Sequence, residues 1–448
     1  MKSNPLAWAA AAALAAIVVV GSMVRPAAQP AAAAFVAVAV LPMDRDVVLT
    51  NQTVVVRDGR IVAVTADQSA KIPEGAVRID AKGKFLMPGL AEMHAHVPGG
   101  NAPDAAIERT LFLYAANGVT TIRGMLGDPR QIGFRDRAAK GEIVSPRMFL
   151  AGPSFSGNTA PTAAAAVEMV AAQKKAGYDL LKIHPGVKRD VFDALAARAD
   201  ELKIPFAGHV PLEVGVHRAL EARYKSIDHL DGYIEALAKN PSTSQFFGVN
   251  LINEVNEAGI AALVKETRAA GVWQVPTQVL MDNLLNDVPA ETMAERPEMK
   301  FMLNPGEVQK WIAQKKSFLK YSQADRAKYL TVRRRIIKAL HDAGVPFALG
   351  SDAPQWWNVP GFSVHRELQS LVDAGLTPYQ ALKTGTANIG SYFGTPDGVV
   401  AAGRRADLVL LDANPIESIA NSSRIAGVMV NGRWLSKADI DKRLAGGS

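Results

Sequence analysis

Phe85-Leu86-Met87-Pro88-Gly89-Leu90-Ala91-Glu92-Met93-His94-Ala95-His96 is the stretch whose reading decides the fold. A short apolar run ends in two histidines two residues apart. Side chains at i and i+2 of a strand share a face, so both imidazoles can reach one metal ion. Alone, such a pair also reads as surface residues at the start of a loop. The run that precedes it places this pair at the carboxyl end of a strand.

Outward from that strand, roughly Phe85 to Phe393, short apolar strands alternate with helical stretches. The strands end near His94, Gly124, Gly152, Pro185, Val210, Leu230, Gln278 and Asp352. Between them lie Ala-rich amphipathic patterns such as Thr162–Lys175 and Arg189–Glu201. This alternation predicts an α/β fold with a parallel sheet. Eight such units favour a closed (β/α)8 barrel over an open sheet. The gap from Gln278 to Asp352 holds extra helical stretches, Glu307–Lys320 and Asp325–Ala343, and predicts a helical insertion around 280–345. An insertion after a barrel strand falls on the face that carries active sites.

Both flanks of this unit are β-rich. Asp46–Leu49, Thr53–Val56 and Ile61–Val64 read as strands, with Asp58-Gly59 as a hairpin turn. Ala406–Leu411 and Gly427–Val430, the latter followed by Asn431-Gly432, repeat the pattern near the other end. The expectation is one small β-sandwich built from residues 35–84 and 395–448, around a barrel of residues 85–394. Residues 1–34 read as a targeting segment: Lys2, an uncharged run from Ser3 to Val24, then small residues at Ala31–Ala34. An exported protein with a cleaved signal is expected, with a membrane anchor at 6–24 as the alternative. A homo-oligomer is left open.

Composition narrows the classes. The chain has 448 residues, 48% hydrophobic and 21% charged, which excludes disordered and polytopic membrane proteins. It has no cysteine, so disulfides and thiolate metal sites are excluded. The net charge of +7 comes from scattered basic residues. The densest cluster, Arg333-Arg334-Arg335, reads as a solvated helix face, so no nucleic-acid partner is expected.

The remaining strand ends carry polar residues. Lys182 lies among apolar residues in Leu180-Leu181-Lys182-Ile183-His184. Burial resists protonation of an amine. A neutral amine can add carbon dioxide to become a carbamate, an oxygen ligand suited to bridging two metals. Pairing with an acid at the barrel mouth is the plainer alternative. His209 and His229 end the next two strands, and either alone reads as a core histidine. Asp352 ends the eighth and could ligate metal, move a proton or cap a helix. Together these residues converge on one metal site.

In this order they resemble the metal-dependent amidohydrolase superfamily, and especially its imidazolonepropionase-like and prolidase-like branch. The resemblance also rests on Gly118-Val119-Thr120-Thr121-Ile122-Arg123, Gly208-His209-Val210, Ser351-Asp352 and Gly403-Arg404-Arg405-Ala406-Asp407-Leu408. It implies a binuclear centre. His94, His96 and Asp352 would hold one divalent cation, His209 and His229 the other, and carbamylated Lys182 would bridge. Nitrogen and oxygen ligands suit Zn2+, with Mn2+ or Co2+ as alternatives. The bridging lysine favours hydrolysis over deamination.

The implied activity is cleavage of an amide bond in an N-acyl amino acid, a dipeptide or a related small molecule. A metal-activated water would attack, and Asp352 would act as general base and then acid. A lactonase, esterase or phosphotriesterase-like activity on the same site is the alternative. Similarly placed tyrosines in relatives suggest that Tyr233 hydrogen-bonds the oxyanion. Arg123, His184 and His365 are the other expected substrate contacts. Two departures stand out. Gly124 follows Arg123 where many relatives carry aspartate, and Gly152–Asn158 lacks the histidine many have after strand three.

Overall fold

The computed structural model describes residues 32–66, 69–302 and 304–446. Most of the expected targeting segment, residues 1–31, lies outside the described residues. Among the described residues no helix is long and apolar enough to cross a membrane.

The strands are β1 (Ala32–Val40), β2 (Leu49–Arg57), β3 (Arg60–Ala66), β4 (Val77–Asp80), β5 (Phe85–Pro88), β6 (Leu90–Ala95), β7 (Val119–Gly124) and β8 (Arg147–Leu150). They continue with β9 (Leu181–Ile183), β10 (Phe206–Gly208), β11 (Ser226–Asp228), β12 (Trp273–Val275), β13 (Leu408–Leu411), β14 (Ile425–Val430) and β15 (Arg433–Ser436).

Strands from both flanks join in one eight-stranded sheet, ordered β15-β14-β13-β5-β1-β2-β3 with β4 also on β1. A small β-sandwich was expected; hydrogen bonding links these strands into one sheet. The joint between the two flanks is the antiparallel pairing of β5 with β13. Residues 85–88 therefore belong to this sheet and not to the catalytic unit assigned to them. Phe35, Val54, Ile61, Leu86, Leu408 and Met429 form its own buried cluster. Both predicted hairpins are present, because Asp58-Gly59 and Asn431-Gly432 take the positive φ that such turns need. The predicted strand Asp46–Leu49 is not formed. Asp44, Arg45 and Asp46 are exposed in bends, and the strand starts at Leu49.

The middle of the chain is α/β. β6-β7-β8 and β9-β10-β11-β12 form two parallel sheets. Single bridges link their edges: Ala151 with Leu180, Phe155 with Ile183, and Gln274 with Phe347. The segment before Asp352 has only that last bridge, so the eighth predicted strand is reduced to single contacts. The two amphipathic patterns form helices Ala163–Ala176 and Arg189–Glu201. Thr162 caps the first by accepting from Ala165 N–H. The insertion contains helices Pro305–Ser317 and Gln323–Asp342.

Candidate metal centre

His94, His96, Lys182, His209, His229 and Asp352 converge at the carboxyl ends of the parallel strands. Nε2 of His96 lies 2.8 Å from Asp352 Oδ1, and Nε2 of His94 lies 3.7 Å from the same atom. The ring of His229 is 4.5 Å from that of His94 and 4.4 Å from that of His209. Lys182 Nζ is 3.0 Å from His94 Nε2. His94, Lys182, His229 and Asp352 are buried, while His96 and His209 are partly open.

Local geometry explains this convergence. Gly208 has φ +119°, and a Cβ there would lie 2.8 Å from Lys182 Cδ and 2.6 Å from Ile183 O. The bare glycine lets the lysine chain cross the interior. His229, Thr277 and Asp352 adopt left-handed φ values of 62°, 45° and 61°. Such conformations are uncommon for side-chain-bearing residues and cluster at functional sites. Here they turn the chain sharply where each strand ends.

Electrostatics suit ligation. Burial, reinforced by the Lys182 charge, holds His94 well below the usual histidine range. Burial and Lys182 likewise lower His209 to about 3. His229 is also held well down, by burial and then by His209. All three imidazoles are thus neutral at pH 7, the state that binds metal. Burial lowers Lys182 to about 8, against the pull of Asp228 and Asp352. Among the described residues Lys182 makes no ion pair, and its Nζ meets His94 Nε2.

The donor set fits a divalent cation. Donor atoms of His94, His96 and Asp352 all lie within 4.8 Å of one another. Nε2 atoms of His96 and His229 are buried without hydrogen-bond partners. An orphaned ring nitrogen beside a carboxylate is what a cation would satisfy.

Three orienting residues escaped the sequence reading. Asp228 Oδ2 is 2.7 Å from His94 Nδ1, Asp231 Oδ2 is 2.7 Å from His209 Nδ1, and Thr277 Oγ1 is 2.8 Å from His229 Nδ1. Each fixes one ring nitrogen and leaves Nε2 for a ligand, the usual support of a metal-binding imidazole. Glu92 also went unnoticed. It accepts from His94 N, Ser351 N and Ser351 Oγ, tying β6 to the segment that carries Asp352. The available signal was position: Asp228 directly precedes His229, and Asp231 follows two residues later.

Several expected contacts are corrected. Tyr233 is fully buried, with its hydroxyl 3.0 Å from Thr267 Oγ1 in helix Ile260–Ala270. It packs behind the site and is not an oxyanion donor. Arg123 is also fully buried. It donates to Met93 O, Ser226 Oγ, Tyr392 Oη and both oxygens of Asp228, so its donors are spent inside the fold and none meets substrate. His365 joins Ser422 Oγ to Asn117 O on the outer side of the strands. Arg333 is not part of a solvated face. It is buried and donates to Gln278, to Pro276 O and to His229 O. His184 does reach the cavity, with its ring 5.0 Å from that of His209.

The chain is similar to several known proteins. A stretch 40% identical over 78 residues is shared with an enamidase of Eubacterium barkeri, covering 17% of this chain and 20% of that protein. The chain therefore spans only a fifth of that relative's length. Two solved structures share the fold. A putative prolidase from Bifidobacterium longum superposes with a TM-score of 0.68 at 24% identity, over 94% of this chain and 99% of that one. Bottromycin amidohydrolase superposes with a TM-score of 0.70 at 24% identity, over 94% and 92%. The model of the amidohydrolase family matches residues 85–435, spanning all six converging residues described above, and the chain belongs to that family.

Proposed function

We propose that this protein is a metal-dependent hydrolase that cleaves an amide bond in a small molecule. His94, His96 and Asp352 would hold one divalent cation, and His209 and His229 a second. Lys182, as a carbamate, would serve both. The carrying observation is the Lys182 amine: buried, free of any ion pair among the described residues, and 3.0 Å from His94 Nε2. Adding carbon dioxide to its neutral form releases one proton and gives two ligand oxygens. The parallel strands would form a closed barrel, a reading supported by the hydrogen bond from Met93 N to Leu349 O at 2.8 Å. The printed names of the enamidase, the prolidase and the bottromycin amidohydrolase support C–N cleavage.

Bound cations would supply Lewis acidity to a carbonyl oxygen and lower the pKa of a water from 15.7 towards about 7. The protein's own part is positioning and proton transfer. Asp352 stands at the mouth with Oδ1 accepting from Gln355 Nε2 at 3.2 Å. Its carboxylate takes the proton of the attacking water and returns it to the leaving nitrogen as the C–N bond breaks. His184 stands at the cavity edge beside His209 and can hydrogen-bond the substrate.

Metal analysis of purified protein, with a panel of N-acyl amino acids, dipeptides and other amides, lactones and phosphotriesters, tests this. Two equivalents of zinc, manganese or cobalt with turnover of amides is expected. Turnover of lactones or phosphotriesters alone would overturn the amide assignment. Export is proposed on residues 2–24. Because β1 starts at Ala32, cleavage after Ala31 would leave that strand whole. Amino-terminal sequencing of exported protein checks the position.

A further inference from the structure

The cavity that reaches Asp352 and His209 has a volume of about 680 Å3. That falls within the range of about 300–1,000 Å3 typical of pockets for drug-sized molecules. Its wall beside the histidines is aromatic. The rings of Phe246 and Phe247 stand at 90° with centroids 4.9 Å apart, and the Trp356 ring lies 5.4 Å from Phe246. Phe247 is 5.8 Å from the ring of His229 and 6.2 Å from that of His209, so the wall begins at the candidate metal centre.

These rings are held in a strained backbone. Phe246, Phe247 and Trp356 have φ of 41°, 55° and 42°. Bulky residues adopt such angles only where their surroundings impose them. Here Tyr329 Oη donates to Phe247 O at 2.6 Å, and Trp356 Nε1 donates to Gln314 Oε1 at 2.8 Å. Phe318 packs edge-on against Phe246 at 4.7 Å. Gln314 lies in helix Pro305–Ser317 and Phe318 directly follows it, so the insertion braces the wall. Core packing does not account for the strain. The neighbouring Trp357 is fully buried, 6.1 Å from Trp311, whereas Phe246, Phe247 and Trp356 are only partly buried and line the cavity. Rings fixed at steep angles to one another let a flat group face one of them and meet the edge of the next, the two arrangements that aromatic pairs prefer. Because the wall is already ordered, binding costs it little entropy.

We propose that Phe246, Phe247 and Trp356 determine specificity, and that the substrate carries a flat aromatic group beside the scissile bond. This rests on the amide reading above and narrows it.

Two matched pairs of sulfonamides, which are not hydrolysed, test the proposal by calorimetry on the metal-loaded enzyme. N-propylnaphthalenesulfonamide carries the flat group on the acyl side, and N-(naphthylmethyl)methanesulfonamide carries it on the amine side. Each is compared with its decahydronaphthyl counterpart, which is as large and as apolar but not flat. In at least one pair the naphthyl compound should bind about tenfold tighter, and that pair identifies the side. Phe246→Leu and Trp356→Leu keep apolar bulk but remove a flat face, and each should reduce the preference to about twofold or less. The corresponding amides report turnover. Lack of a naphthyl preference in both pairs, or a preference undiminished in both variants, would overturn the proposal. Naphthyl-selective binding with none of the amides cleaved would uphold the wall and sink the amide assignment alone.

Discussion

Asp228 Oδ2 lies 2.7 Å from Nδ1 of His94 and 2.9 Å from Nη2 of Arg123, so one carboxylate couples the His94 imidazole to a fully buried guanidinium. Asp228→Asn removes the charge that both partners need. Metal affinity should fall by about 10- to 100-fold, the usual effect of losing such support. Leaving Arg123 buried without its counter-ion should also cost about 3–5 kcal/mol of stability. Chelator competition measures the first effect and urea unfolding the second. Unchanged metal affinity would show that His94 is oriented without this contact.

Lys182→Ala should lose bound metal and lower kcat by about a hundredfold or more, because it removes the anionic oxygens expected between the cations. Formate or acetate should restore part of both. Metal content by elemental analysis, followed by rates with and without the carboxylates, decides the matter. A fully active variant would refute the bridging role.

Tyr233→Phe distinguishes the buried position from a catalytic one. Only the hydroxyl's hydrogen bonding to Thr267 and Gln274 is lost, so stability should fall by about 1–2 kcal/mol. kcat should stay within about twofold of the parent. An oxyanion donor would instead cost about 10²–10³ in kcat, and such a drop would place the hydroxyl at the reaction.

His365 predicts an acid limb. Burial lowers its pKa to about 4 from 6.5, so between those values the unfolded chain binds the extra proton. Its stabilising effect is complete above about pH 6.5 and is lost as pH falls towards 4. At 1.36 kcal/mol per pKa unit, the loss amounts to about 3 kcal/mol. His365→Gln keeps a donor and an acceptor for Asn117 and Ser422 but does not titrate. Urea unfolding at pH 7 and pH 4.5 should show a smaller drop for the variant. Parallel drops would count against the assignment.

The candidate site was legible because strand ends carry simple information. A histidine, lysine or aspartate at the end of an apolar run sits at one edge of the sheet, and six such residues found one another. The orienting residues were not legible, since the role of Asp228 or Thr277 depends on which ring nitrogen it meets in space. Arg333 was misread for a geometric reason. Successive helical residues are about 100° apart, so three arginines in a row cannot share one face. Arg335 pairs with Glu257 at the surface, while Arg333 turns inward to the His229 carbonyl. Tyr233 was misplaced because position along the chain says little about direction. It starts helix Tyr233–Leu237, after Gly232 at φ +82°, and that helix sends its ring to Thr267. The two flanking β regions were read correctly as partners, but their fusion into one sheet depends on β5, which adjoins the His94 strand and looked like part of it.

That fusion sets an order of events. During synthesis β5 leaves the ribosome long before β13, its antiparallel neighbour, exists. Until the distal strands arrive, one edge of Phe85–Pro88 is open, and β6 with its histidine pair follows directly from it. Folding dominated by such distant pairings is slow. The sheet that β5 joins is thus complete only once residues 408–411 have been made, when nearly all of the chain exists.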